Sequence, residues 1–403
     1  MLRAIAALSV AFSHRAEGTI PGFGSFDAEA FRFGQFGVVL FFLCSGFIIP
    51  ATVERYDSLK RFWINRFYRL FPLYWVAISA VLVLHLLGRY ELPPAYTAHP
   101  VEATAANLTM LQAFLHEPLA IGLTWTLAFE LAFYAMVSVL YVGRIHRRSV
   151  PVAGLMLSLA LLCTLHTAGT PRPLLGLVGL VVVVLGLRLL LAVEPERRLV
   201  VAVLGALMLP LLFNGYYGAW FGVLLFATMF TGAVLYRWFE GTVSTTSAAT
   251  VLVAALGLSV LDTALNAGRQ SFIATFIAAY LVFAAALLLR RRGFPRPLLR
   301  LGVISYSLYL LHPLVYGVMG NALGEGPAVR VLALIGALVF SVALAELGYR
   351  FVERPMIARG RALTARLQRP ADATADPPRA SYRVAAAAWP GSLRRLRRAP
   401  HPD

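Results

Sequence analysis

The feature that most constrains this chain is a recurrence. Apolar runs follow one another at about 2–14, 34–51, 70–88, 123–142, 151–167, 173–193, 199–214, 219–238, 248–262, 271–290, 301–319 and 329–352. Short segments bearing arginine, glycine or proline separate them. Apolar runs of about 17–25 residues fit a hydrocarbon core roughly 30 Å thick. Most are too long for strands and lack period-two alternation, so they read as helices, which satisfy their own backbone polar groups in lipid. The expected fold class is all-α: a polytopic membrane helix bundle with ten to twelve crossings, the short runs 199–214 and 248–262 being re-entrant or peripheral in the lower count. Composition excludes a soluble fold. The chain is 59% hydrophobic and only 14% charged, with a mean hydropathy of +0.73, whereas a soluble domain is roughly 25% charged.

Charge gives the bundle a direction. The formal net charge is +17, and Lys60 is the only basic residue that is not arginine. A basic soluble chain would suggest nucleic acid, but here the basic residues sit between apolar runs, where they set topology and meet lipid headgroups. With a cytoplasmic N-terminus, sixteen basic residues from Arg55 to Arg300 fall in inner loops and six in outer ones: Arg15, Arg32, Arg89, Arg172, Arg269 and Arg330. That asymmetry predicts both termini in the cytoplasm. Cys44 and Cys163 lie in different runs and make no disulfide framework or zinc pattern. No cleavable signal peptide is visible, so the first run is expected to remain. The expected division is a transmembrane domain over 1–355 and a disordered cytoplasmic tail over 356–403, rich in Arg, Pro and Ala, whose LRRLRR patch would rest on anionic lipid.

Ionisable residues inside spans are costly, so each is a functional candidate. Arg3 and His14 are eleven residues apart, about 16 Å along one helix face. Histidine suits general-base work near neutral pH. The run before His14 is too short to cross, which predicts that His14 lies at depth beneath a wet outer depression. Arg66 and Arg69 share a face at the inner interface, with Arg61 one turn earlier; paired guanidinium groups match phosphate oxygens, although ordinary topological anchoring explains them equally. Thr126, Glu130 and Tyr134 form a polar stripe, and Glu130 is expected to orient His14. Ser305 and His312 share a face of a later span, where small polar residues also simply join helices. Glu346 and Arg350 are spaced to pair with each other, and Glu353 lies within reach of an inner arginine.

With these residues in place, the chain resembles the membrane-bound acyltransferase-3 family over roughly residues 1–356. LRAIAALSVAFSH resembles the family's opening, with Arg3 and His14 in its basic and histidine positions. Arg66 and Arg69 fill its RxxR, and VVLFFLCSGFII, WTLAFELAFY, SYSLYLLH and VERP follow in order. Relatives usually carry more residues before the first block, often with Asp-Gly ahead of the basic residue, whereas Arg3 follows only Met1 and Leu2. The resemblance implies transfer of an acyl group, usually acetyl, from cytoplasmic acyl-CoA to a hydroxyl of a glycan, lipid-linked sugar or small molecule in a bacterial plasma membrane, without a metal. It also implies catalytic roles for the counterparts of His14 and Glu130 and donor binding by the RxxR pair.

The residues then permit a direct transfer. Arg66 and Arg69, with Arg61, would hold the CoA phosphates, Arg3 would favour the donor's charge, and His14 would take the acceptor proton. Ser305 or Trp125, and more weakly His312, would line the substrate and its oxyanion. An acyl-enzyme route would involve Cys44 or Ser45. The outer segment from about 89 to 122 is the longest candidate lid. Two other classes compete. A transporter or flippase would line a path with these charges and use inverted repeats or broken helices. A structural or sensory protein would need no turnover.

Overall fold

The computed structural model describes residues 1–213, 218–266, 270–320 and 326–367. Arg269 and the LRRLRR patch lie outside the described residues. Residues Met1–Thr364 form one compact unit; of the second, Ala365–Asp403, only the end of one helix is described.

Described regular structure is helical throughout. The helices are α1 (Leu2–Ala16), α2 (Phe23–Glu29), α3 (Phe33–Tyr56), α4 (Leu59–Leu86), α5 (Pro94–Ala98), α6 (Pro100–Thr109), α7 (Trp125–Val142), α8 (Ser149–Thr167) and α9 (Arg172–Leu191). They continue with α10 (Pro195–Phe213), α11 (Ala219–Phe239), α12 (Thr245–Leu265), α13 (Gln270–Leu288), α14 (Arg296–Val303), α15 (Ser305–Met319), α16 (Pro327–Gly348) and α17 (Arg354–Arg366).

Nine described helical segments are long and apolar enough to cross a membrane, or ten if α14 and α15, bent by 76°, form one broken span. Neither α1 nor α10 is among them, although both read as spans from the sequence. Helix α1 has 15 residues, about 22 Å of rise. In α10 the first turn carries Glu196, Arg197 and Arg198, leaving an uncharged stretch of similar length. The run at 248–262 extends to a full span in α12.

Packing follows from small residues. Helices α3 and α11 run through the middle of the bundle and touch along much of their length. A Cβ on Gly46 would lie 1.8 Å from the Met229 carbonyl oxygen, and one on Gly232 would lie 2.6 Å from that of Leu43. Glycine at both positions is what lets the backbones meet, as in other membrane helix pairs. Helix α1 is enclosed by α3, α14, α15 and α16 and buries Ala4, Ala6, Ala7 and Ala11. By contrast, α9 buries only Leu189 and turns its remaining apolar surface outward, as a lipid-facing helix should.

The segment between α4 and α7, the candidate lid, forms a pinned cap. Tyr74 donates to the Asn107 carbonyl at 2.6 Å, Asn107 donates to the Pro118 carbonyl at 2.8 Å, and Ala120 N–H donates back to Asn107 Oδ1 at 3.1 Å. The chain also stays regular past residue 356. A π-helical turn, Tyr349–Glu353, leads into α17, whose Thr364 accepts from Asn65 at 3.3 Å and whose Gly360 lies against Tyr68. Residues 368–403 lie outside the described residues.

Candidate active site

The end of α1, α2, the start of α3, the α4–α7 cap and α15 enclose a chamber of about 800 Å³. His14 and Trp125 line it, with Glu17, Asp27, Arg32, Gln35, His116 and Glu117 around them. His14 is exposed to this space, whereas neighbouring Ser13 and Arg15 are buried. Its Nδ1 lies 2.9 Å from Nε2 of His312, which is fully buried in α15. His312 Nδ1 in turn donates to the Leu308 carbonyl at 3.1 Å. The geometry fits its sequence context. Pro313 cannot supply the backbone N–H of a helical turn, and the His312 ring turns toward the carbonyls of that preceding turn. Arg15 donates to the Gly320 carbonyl at 3.0 Å and Tyr316 to the Ala11 carbonyl at 2.8 Å, holding α1 against α15.

A second polar group lies toward the N-terminal end of α1. Arg3 Nε donates to Ser305 Oγ at 3.1 Å, and its guanidinium lies 5.1 Å from the centre of the Phe41 ring. Arg3 and Glu130 line a small cavity of about 30 Å³ with Ser45, Thr126, Tyr306 and Tyr309. Glu130 accepts a short hydrogen bond from Tyr134 and a long one, 3.5 Å, from Ser45. The Arg66 guanidinium stacks 5.4 Å from both Phe62 and Tyr134, with its buried Nε unpartnered. Arg69 is close enough to couple electrostatically with Arg3, Tyr134 and Glu353. Glu353, buried in the π-turn, accepts from Ser307 at 2.7 Å.

Two of the bonds between α1 and α15 run from side chain to side chain, Arg3–Ser305 and His14–His312. The contacts are eleven residues apart on one helix and seven on the other. The difference, about 6 Å of rise, is spanned by the long Arg3 side chain. Val38 and Tyr309 line both cavities, and Tyr309 shares a 2.6 Å hydrogen bond with Thr126.

The structure therefore separates residues that the sequence suggested as one centre. Glu130 does not hydrogen-bond His14; it belongs to the arginine group, and His312 takes the place beside His14. Ser305 likewise holds Arg3, leaving Trp125 as the expected oxyanion residue that lines the His14 chamber. Arg61 turns back to the Tyr56 carbonyl at the end of α3, apart from Arg66 and Arg69 in its bonding. Within the polar stripe, Tyr134 bonds Glu130 while Thr126 bonds Tyr309. Glu346 pairs with Arg350 as its spacing predicted, and with Arg300 as well. Sequence reasoning missed Asp27, Glu17 and Glu117, which sit outside the spans where a charge draws attention. No group of three or more potential metal ligands occurs among the described residues.

The fold and site define a polytopic all-helical membrane protein with a histidine-bearing chamber at one end and an arginine–glutamate cluster toward the other. Residues 1–346 match the family model described as an acyltransferase domain, and the chain belongs to this acyltransferase-3 family. It is 25% identical to O-acetyltransferase OatA of Staphylococcus aureus over 360 residues, covering 83% of this chain and 54% of the relative. It is 31% identical to acyltransferase MdmB of Streptomyces mycarofaciens over 106 residues, 25% of this chain and 27% of the relative. Nodulation protein 10 of Rhizobium leguminosarum bv. viciae is 31% identical over 156 residues, 33% of this chain and 41% of the relative. The chain thus spans about half the length of the Staphylococcus aureus protein and less of the others. No solved structure matches.

Proposed function

We propose that the protein is a membrane O-acyltransferase that moves an acyl group, acetyl being the simplest, from acyl-CoA to a hydroxyl. One observation carries this reading: an acyltransferase-family chain exposes the imidazole of His14 inside a chamber large enough for a small acceptor. The chamber has the size of an ordinary ligand site. In the balanced step, His14 takes the proton from the acceptor O–H as its oxygen attacks the thioester carbonyl. The tetrahedral intermediate then collapses with cleavage of C–S, and the proton passes to the thiolate. Trp125 lines the space in which this happens.

The arginine cluster supplies the donor side of the reading. Arg66 and Arg69 share a helix face, and Arg66 keeps a buried N–H without a protein acceptor, so the pair suits phosphate oxygens. The uneven distribution of arginines supports reading this end as the cytoplasmic side of the membrane, with the chamber on the opposite side. The acceptor is then a hydroxyl-bearing glycan, lipid-linked sugar or small molecule.

The test is transfer of labelled acetyl from acetyl-CoA by the purified protein in lipid nanodiscs, against a panel of hydroxylated acceptors. His14→Ala should lower turnover on the order of 10³-fold while membrane insertion is retained; near-normal turnover removes His14 from the reaction. Uptake of an acceptor into vesicles without covalent transfer would favour a transporter instead. A second route has one observation in its favour: Ser45 donates to Glu130, the pairing an acyl-serine would need. Label retained on Ser45 in the absence of acceptor would establish that route over direct transfer.

A further inference from the structure

We infer that His312 is a positioning residue that fixes the tautomer of His14 and leaves His14 Nε2 as the free base facing the chamber. This rests on the reading of His14 as the proton acceptor, and adds a partner for it.

Donors and acceptors alone fix both tautomers. The Leu308 carbonyl can only accept, so the hydrogen in its bond with His312 sits on His312 Nδ1. A neutral imidazole has one N–H, so His312 Nε2 carries a lone pair. The nitrogen 2.9 Å away, His14 Nδ1, must then be the donor. His14 has in turn only Nε2 left as its basic nitrogen. A charged His312 would break this chain, but its ring is fully buried, wedged against Tyr309 and Tyr316, and no described carboxylate bonds it. Burying a cation without a partner is strongly unfavourable. The other ionisable groups lining the chamber are Glu17, Asp27, Arg32, His116 and Glu117. None of them hydrogen-bonds His14; Asp27 acts on it only through its charge.

This arrangement differs from a base backed by a carboxylate. When His14 takes a proton, the new N–H lies on Nε2 and the existing Nδ1–H bond to His312 is kept. Nothing rotates, and His312 never has to be charged. The backbone of α15 sets the direction of the whole relay.

The test is a series at position 312 read in two ways. His312→Gln keeps an oxygen acceptor near the place of Nε2, His312→Leu removes it, and His312→Glu replaces it with a carboxylate. Turnover should fall on the order of 10²-fold in the leucine variant and recover most of that loss in the glutamine variant. The glutamate variant should move the acid limb of the pH–rate profile to higher pH, by about one unit. The second reading does not need turnover: the pH dependence of diethyl pyrocarbonate modification at His14, located by peptide mass. It should move upward in the glutamate variant and stay in place in the glutamine variant. Equal turnover in the leucine and glutamine variants, or a His14 titration indifferent to the residue at 312, overturns the relay while leaving His14 as the base. Wild-type turnover in His14→Ala overturns the functional reading itself.

Discussion

The chamber around His14 and the cluster around Arg3 hold ionisable groups inside one bundle by opposite means. In the chamber, about 800 Å³ of open space reaches the imidazole, and its only hydrogen-bond partner among the described residues is a neutral ring. Around Arg3 the free space is about 30 Å³, roughly room for one water, and the charges meet each other, aromatic faces and hydroxyls. One region keeps its ionisable group workable by opening it to free space. The other keeps its charges affordable by mutual compensation. A reacting hydroxyl needs the first arrangement; an anionic ligand that completes a set of cations suits the second.

The largest effect that would break this division comes from Glu130→Gln. Removing the carboxylate leaves Arg3 without the countercharge that shares its cavity, and kcat should fall on the order of 10²-fold, a charged hydrogen-bonded group being worth about 1.5–3 kcal/mol. The acid limb of the pH–rate profile should not move, because Glu130 does not bond His14. A clear shift of that limb would put the two regions back into one centre. A smaller effect sharpens the contrast. Arg66→Ala with Arg69→Ala should raise the apparent KM for acetyl-CoA by about 10–100-fold, the scale of one or two charge-assisted contacts, with little change in acceptor KM. An equal rise in both would spread donor recognition across the bundle.

The smallest effect concerns a third arrangement, where the loop after α7 meets the ends of α3 and α11. There Glu54 forms a two-point ion pair with Arg237, and His146 Nε2 lies 3.7 Å from the same carboxylate. Burial holds His146 below the usual histidine range, and Glu54 offsets this only in part. A histidine whose folded value is depressed contributes stability above the unfolded value of about 6.5 and loses it as pH falls through the folded value. Thermal unfolding between pH 8 and pH 5 should therefore show an acid-side loss. His146→Gln should flatten it by about 2 °C. An unchanged slope in that variant would assign the loss to other groups.

Much of the fold was legible in the sequence because lipid allows few solutions: run length gave the spans, and ordered motifs gave the family later matched over residues 1–346. The site was legible in its members more than in its pairings. His14 and His312 are 298 positions apart, and no local spacing joins them. Glu130 looked like the partner of His14 because it is the charged residue within its span, yet its place as acceptor of Tyr134 and neighbour of Arg3 is fixed by how α7 packs against α3. Helix α17 escaped notice for a related reason. Its arginines and small residues lack an apolar period, and it is held by Gly360 against Tyr68 and by Thr364 against Asn65, contacts that exist only once α4 is in place.

Tyr309, shared by both cavities and bonded to Thr126, has an electrical consequence. A protein with an open vestibule at one end and a cluster of ions toward the other sits close to being a leak, and moving one elementary charge through 100 mV releases about 2.3 kcal/mol. With that tyrosine in place and space for about one water beyond it, the two ends share a septum that stays shut to ions until the donor's thioester arm enters it. Such a bundle can keep polar chemistry deep in the bilayer while the ion gradients across it stay intact.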